Sequence, residues 1–362
     1  MVSRKTTLRR GYRFKNRWVI IALALIDRLL GHICGKGRPL PDRVAKILLI
    51  KPDHLGDMLM LTSVVPLIKN RYKDADIDIV CGAWALPVLE NNPFIRKRIV
   101  LNHPAYNRGS LSFFRKLADF FKTLVSTLKT LRRERYDLCL NFRDAGGDLV
   151  LLARLGNCRF IAGHRTGGFG PLIDAVADWR EGVHEVAHYL EVAGMVGVGA
   201  PLKCLRYELY PGKEDYAFVE AVLERFGLTD FVAIHPGSGD KRKLLDGNFW
   251  ARVVRNVDDR SRVAITGSKE EGRLFAEIAA AAGEGLSDLT GAFTILQLLV
   301  FFQRARHVYT LDSLAAHIAA LSGTETTVFW NDLNDAEQWR PLGQKVEIID
   351  PGCDFTAKTL TG

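Results

Sequence analysis

Long apolar runs are missing from this 362-residue chain. No stretch approaches the roughly 18 residues that a membrane-spanning helix needs. The longest candidate, 18–26, is nine residues long and stops at Asp27-Arg28. Cysteine pairs at redox or metal spacing are also missing. The six cysteines are Cys34, Cys81, Cys139, Cys158, Cys204 and Cys353, and none forms C-x-x-C. Cys81 and Cys139 sit inside apolar runs and read as buried thiols in a reducing compartment. No low-complexity tract or sequence repeat is present. The dinucleotide and Walker fingerprints are absent too: in HPGSGDKRK (235–243) no G-K-[ST] follows the loop, and Arg242 stands where a third glycine of G-x-G-x-x-G would fall.

Acid is missing from residues 1–17, which carry Arg4, Lys5, Arg9, Arg10, Arg13, Lys15 and Arg17 and so supply seven of the net +9 charges. A basic arm leading into an apolar helix is drawn to anionic surfaces. Residues 1–30 are therefore expected to contact an anionic membrane as an uncleaved interfacial anchor. A signal peptide fits less well, because no A-x-A site follows the apolar run and Ile33, not a small residue, precedes Cys34. With the positive charge concentrated in the arm and one later helix, and no recognisable module, nucleic acid is not an expected partner.

What is present is alternation. KILLIK (46–51) reads as a buried strand, followed by an apolar helix opened by Gly56 and Asp57. IDIVC (77–81), DLCLNF (137–142) and CRFIAG (158–163) read as further strands, with a helix near 84–91. Residues 113–131 repeat Phe113, Leu117, Phe120, Phe121, Leu124, Leu128 and Leu131 at helical spacing, with most of that face expected in the core. Around 199–215 the pattern breaks into an expected linker. A second alternation follows, with strands at 231–235, 262–267, 307–311 and 326–330 and helices between them. The expected organisation is an arm (1–44), a first Rossmann-like domain (45–198), the linker, a second such domain (216–345) and a tail (346–362). In such α/β sheets ligands meet the carboxyl ends of the strands.

The loops at those ends carry the chemistry. KPDHLGDM (51–58) clusters Lys51, Asp53, His54 and Asp57, although an acid there can simply cap a helix. Gly237, Ser238 and Gly239 form a small loop whose backbone N–H groups, with Lys241, Arg242 and Lys243 nearby, suit an anion such as a diphosphate. LDSLAAH (311–317) sends Asp312, Ser313 and His317 from a buried strand, and ITGSKEEGR (265–273) offers Glu270 and Glu271. HEVAH (184–188) matches the H-E-x-x-H zinc pattern, but Glu191 stands where a metzincin extension needs glycine.

Taken in order, LGDMLMLTSVVPLIK, IHPGSGDKRK, ITGSKEEGR, DLTGAFTILQL and LDSLAAHIAALSGTETTVFW resemble glycosyltransferase family 9, the lipopolysaccharide heptosyltransferases, over about residues 45–340. The resemblance implies a GT-B fold, with two Rossmann-like domains facing across a cleft. It implies inverting transfer of a heptose from ADP-heptose to the lipopolysaccharide inner core, without metal or other cofactor. The donor would be a nucleotide sugar and the acceptor a lipid-linked saccharide. The enzyme would sit peripherally on the inner face of the bacterial cytoplasmic membrane. Carried over residue by residue, Asp57 matches the catalytic base. Gly237, Ser238, Gly239 and Lys243 match the phosphate-contacting loop, Glu270 or Glu271 the acid near the nucleotide sugar, and Asp312, Ser313 and His317 the D-[ST]-G-x-x-H element. Lys51, His54 and His184 are acceptor-side candidates. Leu314 stands where the family usually has glycine, and Leu244-Leu245-Asp246 follows Lys243 in place of Trp-Pro. A same-fold transferase using another nucleotide sugar, or a degenerate member without catalysis, therefore remains open. HEVAH resembles the family's scaffold helix, which leaves the metal site without an expected occupant.

Overall fold

A computed structural model describes residues 11–353 apart from Lys15, 35–36, Arg108, Ser110, 258–261 and Glu284. The chain forms two compact units that divide between Leu205 and Arg206. The first contains β1 (Lys46–Ile50), β2 (Asp76–Cys81), β3 (Lys97–Val100), β4 (Leu138–Asn141), β5 (Phe160–His164) and β6 (Ala175–Ala177), in the spatial order β3-β2-β1-β4-β5-β6. The second contains β7 (Phe231–His235), β8 (Arg262–Gly267), β9 (Leu286–Thr290), β10 (His307–Leu311), β11 (Glu325–Phe329) and β12 (Val346–Ile349), in the order β12-β11-β10-β7-β8-β9. Every pairing in both sheets is parallel. Both orders are the doubly wound one, so the strand order reverses beside β1 and β4 in one unit and beside β7 and β10 in the other.

Continuous apolar runs make the central strands. Ile47–Ile50 are fully buried because helices cover both faces of the sheet. The strands at the sheet edges escaped the sequence pattern. β3, β6, β9 and β12 are short or carry exposed polar residues, as in KRIV and LSDLT. Residues 346–349, expected as the start of a tail, pair with β11 instead. The expected helix near 84–91 is a 3-10 helix, Ala83–Leu89, interrupted by Pro87. The expected linker is partly structure of the second unit: Tyr207 and Leu209 are buried, and a helix starts at Lys213.

The helix Phe113–Glu134 meets the core with most of the expected apolar face, but not all of it. Phe120, Leu124, Leu128 and Leu131 pack on the core of the first unit. Phe113 and Phe121 point to solvent with Phe114 and Val125. The stripe is wider than the contact it meets, so part of it stays uncovered.

The arm is only partly an arm. Residues 1–10 and Lys15 lie outside the described residues, and with them Arg4, Lys5, Arg9 and Arg10. Asn16 caps a helix, Arg17–Ile33, by accepting the Trp18 backbone N–H at 2.9 Å. Ile20 is buried and Leu30 packs against Val150, Leu172 and Ile173. Trp18, Ile21, Leu25, Leu29 and Ile33 are exposed, so one face is held by the unit and the other is bare. Among the described residues no helix is long and apolar enough to cross a membrane.

Two glycine-rich loops at the carboxyl edge of the first sheet interlock. A Cβ at Gly147 would lie 2.3 Å from the Gly167 carbonyl oxygen, and one at Gly167 would lie 2.6 Å from the Gly146 nitrogen. Both obstacles are backbone and cannot rotate away. Gly147→Ala should therefore destabilise the first unit by about 1–3 kcal/mol through overpacking, read as a lower midpoint in urea denaturation.

Candidate active site

In the first unit the loops after β1 and β4 meet where the strand order reverses. Lys51 is the first residue beyond β1 and is fully buried. Its Nζ lies 3.1 Å from Asp53 Oδ2 and 3.5 Å from Glu185 Oε1, and donates to the Phe142 carbonyl at 3.3 Å. The Tyr189 ring centroid is 4.7 Å from the same atom. Burial alone would lower the Lys51 pKa, but the carboxylates of Asp53, Glu185 and Asp57 override it and hold the ammonium above its ordinary range. Asp53 also accepts a hydrogen bond from Arg143, which extends just beyond β4. The Arg143 guanidinium lies 4.6 Å from the Tyr106 ring centroid. Burial opposes its charge, and Asp53, Tyr106, Asp57 and Glu185 restore it and raise its pKa.

Asp57 stands in the first turn of the helix Leu55–Thr62, whose N-cap is His54. It is therefore not the cap that its position in the loop suggests. Its carboxylate faces the helix N-terminus and lies 3.7 Å from His54 Nδ1. Burial pushes its pKa up, but His54, Lys51 and Arg143 outweigh that and bring it down to about 2. The group is a carboxylate throughout the neutral range.

HEVAH does not form a chelate. His184 is the N-cap of the helix Glu185–Gly194, and its Nδ1 accepts the Val186 N–H at 3.2 Å. Glu185 turns to Lys51. His188 stacks on Trp179 at 5.3 Å and meets His164 edge-on at 5.7 Å. Burial lowers the pKa of both histidines, that of His164 to about 4. Among the described residues no group of His, Cys, Asp and Glu has the arrangement of a metal site.

In the second unit the loops after β7 and β10 meet in the same way. Gly237 is buried, Ser238 partly so and Gly239 exposed. The Ser238 hydroxyl accepts the Asp240 N–H at 3.3 Å. A turn at Lys241–Lys243 separates this loop from the helix Gly247–Arg255, which Asp246 caps through the Phe249 N–H at 2.8 Å. The loop thus does not run directly into a long helix. Lys243 reaches across to β10, donating to the Asp312 carboxylate and, at 3.1 Å, to the Asp312 carbonyl. Asn334 donates to the same carboxylate at 2.8 Å. Ser313 alone caps the helix Leu314–Ser322 through the Ala315 N–H at 3.3 Å, which leaves Asp312 free for Lys243. Leu314 is the first residue of that helix.

The structure separates Glu270 from Glu271. Glu270 is exposed. Glu271 accepts the Ser268 N–H at 2.6 Å, and its carboxylate lies against two glycines: a Cβ at Gly237 would be 2.1 Å from its Oε1. The two strand-end loops can approach this closely only because that Cβ is missing. His317 is buried and turned inward, with Nδ1 3.1 Å from the Tyr207 hydroxyl, which in turn accepts the Leu342 N–H at 2.9 Å. Its ring also meets the Tyr207 ring edge-on, with centroids 5.4 Å apart.

Sequence reasoning missed Arg143, Asn334 and the Lys51 partnership of Glu185. Arg143 had a readable signal, since it lies immediately after the buried run DLCLNF, the position from which Lys51 was picked after KILLI. Asn334 and Glu185 had none, because their partners are distant in sequence.

Residues 124–354 match the family model described as "Glycosyltransferase family 9 (heptosyltransferase)". The loop holding Asp57 precedes that match. Lipopolysaccharide heptosyltransferase 3 of Escherichia coli (strain K12) is 25% identical over 300 residues, covering 80% of this chain and 83% of its own. A solved family 9 glycosyl transferase from Veillonella parvula DSM 2008 superposes with a TM-score of 0.72 at 17% identity, covering 88% of this chain and 90% of that one. The E. coli ADP-heptose lps heptosyltransferase II does so with a TM-score of 0.66 at 21% identity, covering 84% and 90%. These likenesses carry the fold, the two-sheet GT-B architecture.

Removing the Lys51 ammonium leaves Asp53 and Glu185 facing each other without the charge between them. Lys51→Met should cost about 3–5 kcal/mol of unfolding free energy, measured by chemical denaturation. Linkage gives the sign for Asp57. Because its folded pKa is depressed, its contribution to stability is complete above the ordinary carboxylate pKa of 3.8 and is lost as pH falls towards 2. Asp57→Asn should flatten the stability–pH curve in that window, followed by thermal unfolding at stepped pH.

Proposed function

As the chain belongs to glycosyltransferase family 9, we propose that it transfers a heptose from ADP-heptose to a lipid-linked saccharide of the lipopolysaccharide inner core, with inversion and without a metal. The observation that carries the chemistry is Asp57, a carboxylate held ionised at the carboxyl edge of the first sheet. In this reading the acceptor hydroxyl oxygen forms its bond to the anomeric carbon while the bond to the diphosphate breaks. Its proton passes to Asp57, and ADP departs with the electron pair. A carboxylate with so low a pKa is a weak base, so the proton moves late, once attack has made the hydroxyl acidic. Attack opposite the leaving group inverts the centre.

The second unit supplies the other half of the reading. Backbone N–H groups of Gly237–Gly239, the Ser238 hydroxyl and Lys243 would stabilise the charge growing on the diphosphate. Lys243 is held ready by Asp312, an ion pair that a phosphate can replace in kind. Glu271, seated between the β7 and β8 loops, is the better candidate for the nucleotide-sugar hydroxyls than exposed Glu270. His317 is assigned to holding Tyr207 and the helix it sits on.

The bare faces support a membrane location. The exposed apolar side of Arg17–Ile33, preceded in sequence by basic residues, suits an anionic bilayer, and Phe113, Phe114 and Phe121 offer a second apolar stripe beside Lys122. The protein would then work peripherally on the cytoplasmic membrane face, where a lipid-linked acceptor is displayed.

Asp57→Asn should lower kcat by at least about 10²-fold and leave ADP-heptose affinity unchanged in calorimetry. Near-normal turnover would remove Asp57 from the base role. Lys243→Ala should weaken ADP binding roughly 10–100-fold. A panel of nucleotide sugars tests the donor, and preference for another base or sugar would redirect the reading to the Leu314 position. Flotation with anionic against neutral vesicles tests the anchor; equal binding to both would refute its electrostatic part.

A further inference from the structure

Arg13 behaves unlike a residue of a surface-seeking arm. Its guanidinium pairs with the Asp144 carboxylate, the two side chains being only 12% and 9% exposed. It lies 4.1 Å from the Trp179 ring centroid, and its backbone N–H donates to the Thr166 carbonyl at 2.9 Å. Burial brings its pKa down to about 10, with Glu185 acting to raise it. A cation desolvated to this degree is held for its geometry, since attraction to a surface would keep it in water.

The contacts around it join three pieces of chain. The Tyr12 hydroxyl donates to Asp27 at 2.9 Å, tying the segment back to the helix Arg17–Ile33. Leu23 of that helix comes so close to Gly168 that a Cβ there would lie 2.7 Å from it. The Thr166 hydroxyl donates to the Asp144 carbonyl at 2.6 Å. Asp144 follows Arg143, whose Nε is 3.7 Å from Asp144 Oδ1 and whose other end holds Asp53. An unbroken set of contacts therefore runs from Tyr12 through Arg13, Asp144 and Arg143 to the carboxylate beside Lys51. Arg143 and Asp144 lie just beyond β4, Thr166 just beyond β5 and Asp53 just beyond β1, all at the carboxyl edge of the sheet where ligands bind.

We propose that Arg13 is a positioning residue: the Tyr12–Arg13 segment straps the bare-faced N-terminal helix onto the 143–147 loop and sets Arg143 against Asp53. The acceptor side is then complete only when the strap is seated, and the helix that meets a lipid surface is mechanically joined to the loop that shapes the site. Arg13 acts through Asp144 and Arg143 and touches no reacting atom. The inference rests on the reading of Asp57 and its neighbours as the acceptor side.

The test uses the full chain with Arg13→Ala, Arg13→Lys, Asp144→Ala and the Arg13→Ala/Asp144→Ala double variant. Two readouts are needed: backbone hydrogen exchange, and kcat and KM for donor and acceptor separately. For Arg13→Ala we expect faster exchange confined to 143–150 and 165–170. We also expect roughly a tenfold to hundredfold loss of kcat/KM for the acceptor, with donor affinity unchanged. Arg13→Lys should recover part of it. The double variant should lose no more than the worse single one, because both act through one contact. Unchanged exchange at 143–150, an acceptor kcat/KM equal to wild type, or faster exchange spread over the whole unit would each overturn the strap. Failure of the wild-type protein to transfer heptose would fall on the proposed function alone, and the exchange arm would still decide the strap.

Discussion

With its side chain fully buried, the Lys51 ammonium has no water to solvate it, and the loops around it exist in the arrangement that replaces that water. An isolated ammonium in a protein interior costs many kcal/mol and would give up its proton instead. Here Asp53, Glu185 and the Phe142 carbonyl take the place of the hydration shell, each from a different element. Asp53 comes from the β1 loop, Phe142 from the β4 loop and Glu185 from the first turn of a helix about 130 residues further on. Moving any of the three would strand the charge. The same demand fixes Arg143, because Asp53 has a second oxygen to satisfy and Arg143 bonds to it. The low pKa of Asp57 owes most to its hydrogen bond with His54, and the field of Lys51 and then Arg143 at the first turn of its helix adds to it.

The second unit repeats the topology without repeating the constraint. Lys243 also stands in a loop beyond the first strand of its sheet and is also paired with an acid, but its side chain keeps 11% of its exposure and its partner Asp312 is shared with Asn334. A pair at the rim of a sheet can open, because water or an arriving anion can complete either half. A pair sealed as Lys51 is sealed cannot open without unfolding its surroundings. One sheet edge is therefore rigid by electrostatic necessity, and on the proposed function the other is the edge that exchanges a carboxylate for a phosphate.

What the sequence made legible follows the same division. Lys51, Asp57, Ser238, Lys243 and Asp312 each stand within seven or eight residues of the end of a buried apolar run, where a parallel sheet presents its loops. Periodicity and the strand-end rule find such residues. Partnerships across elements carry no local signal, which is why HEVAH, read as a scaffold helix, gave no sign that its Glu185 reaches Lys51. The contact of His317 with Tyr207 was equally invisible, because the two residues lie far apart in sequence. The edge strands β3 and β9 were missed because a strand exposed along one side keeps its charges, and alternation over four or five residues is too short to stand out. Arg13 was counted among the free charges of the arm because composition weighs each arginine alike, whether it meets water or Asp144.

On the proposed function, the depth of the Asp57 pKa sets how the work is shared between the base and the leaving-group site. The cations that keep the carboxylate ionised also make it a poor base. A base that weak cannot drive attack by removing the proton early, so the barrier must be lowered from the leaving-group side. That places the demand on the Gly237–Gly239 loop and Lys243, where charge develops as the sugar departs. The two ends of the reaction are then matched: a base that costs nothing to keep ionised, and a leaving-group site whose lysine is already aligned by Asp312 before the diphosphate arrives.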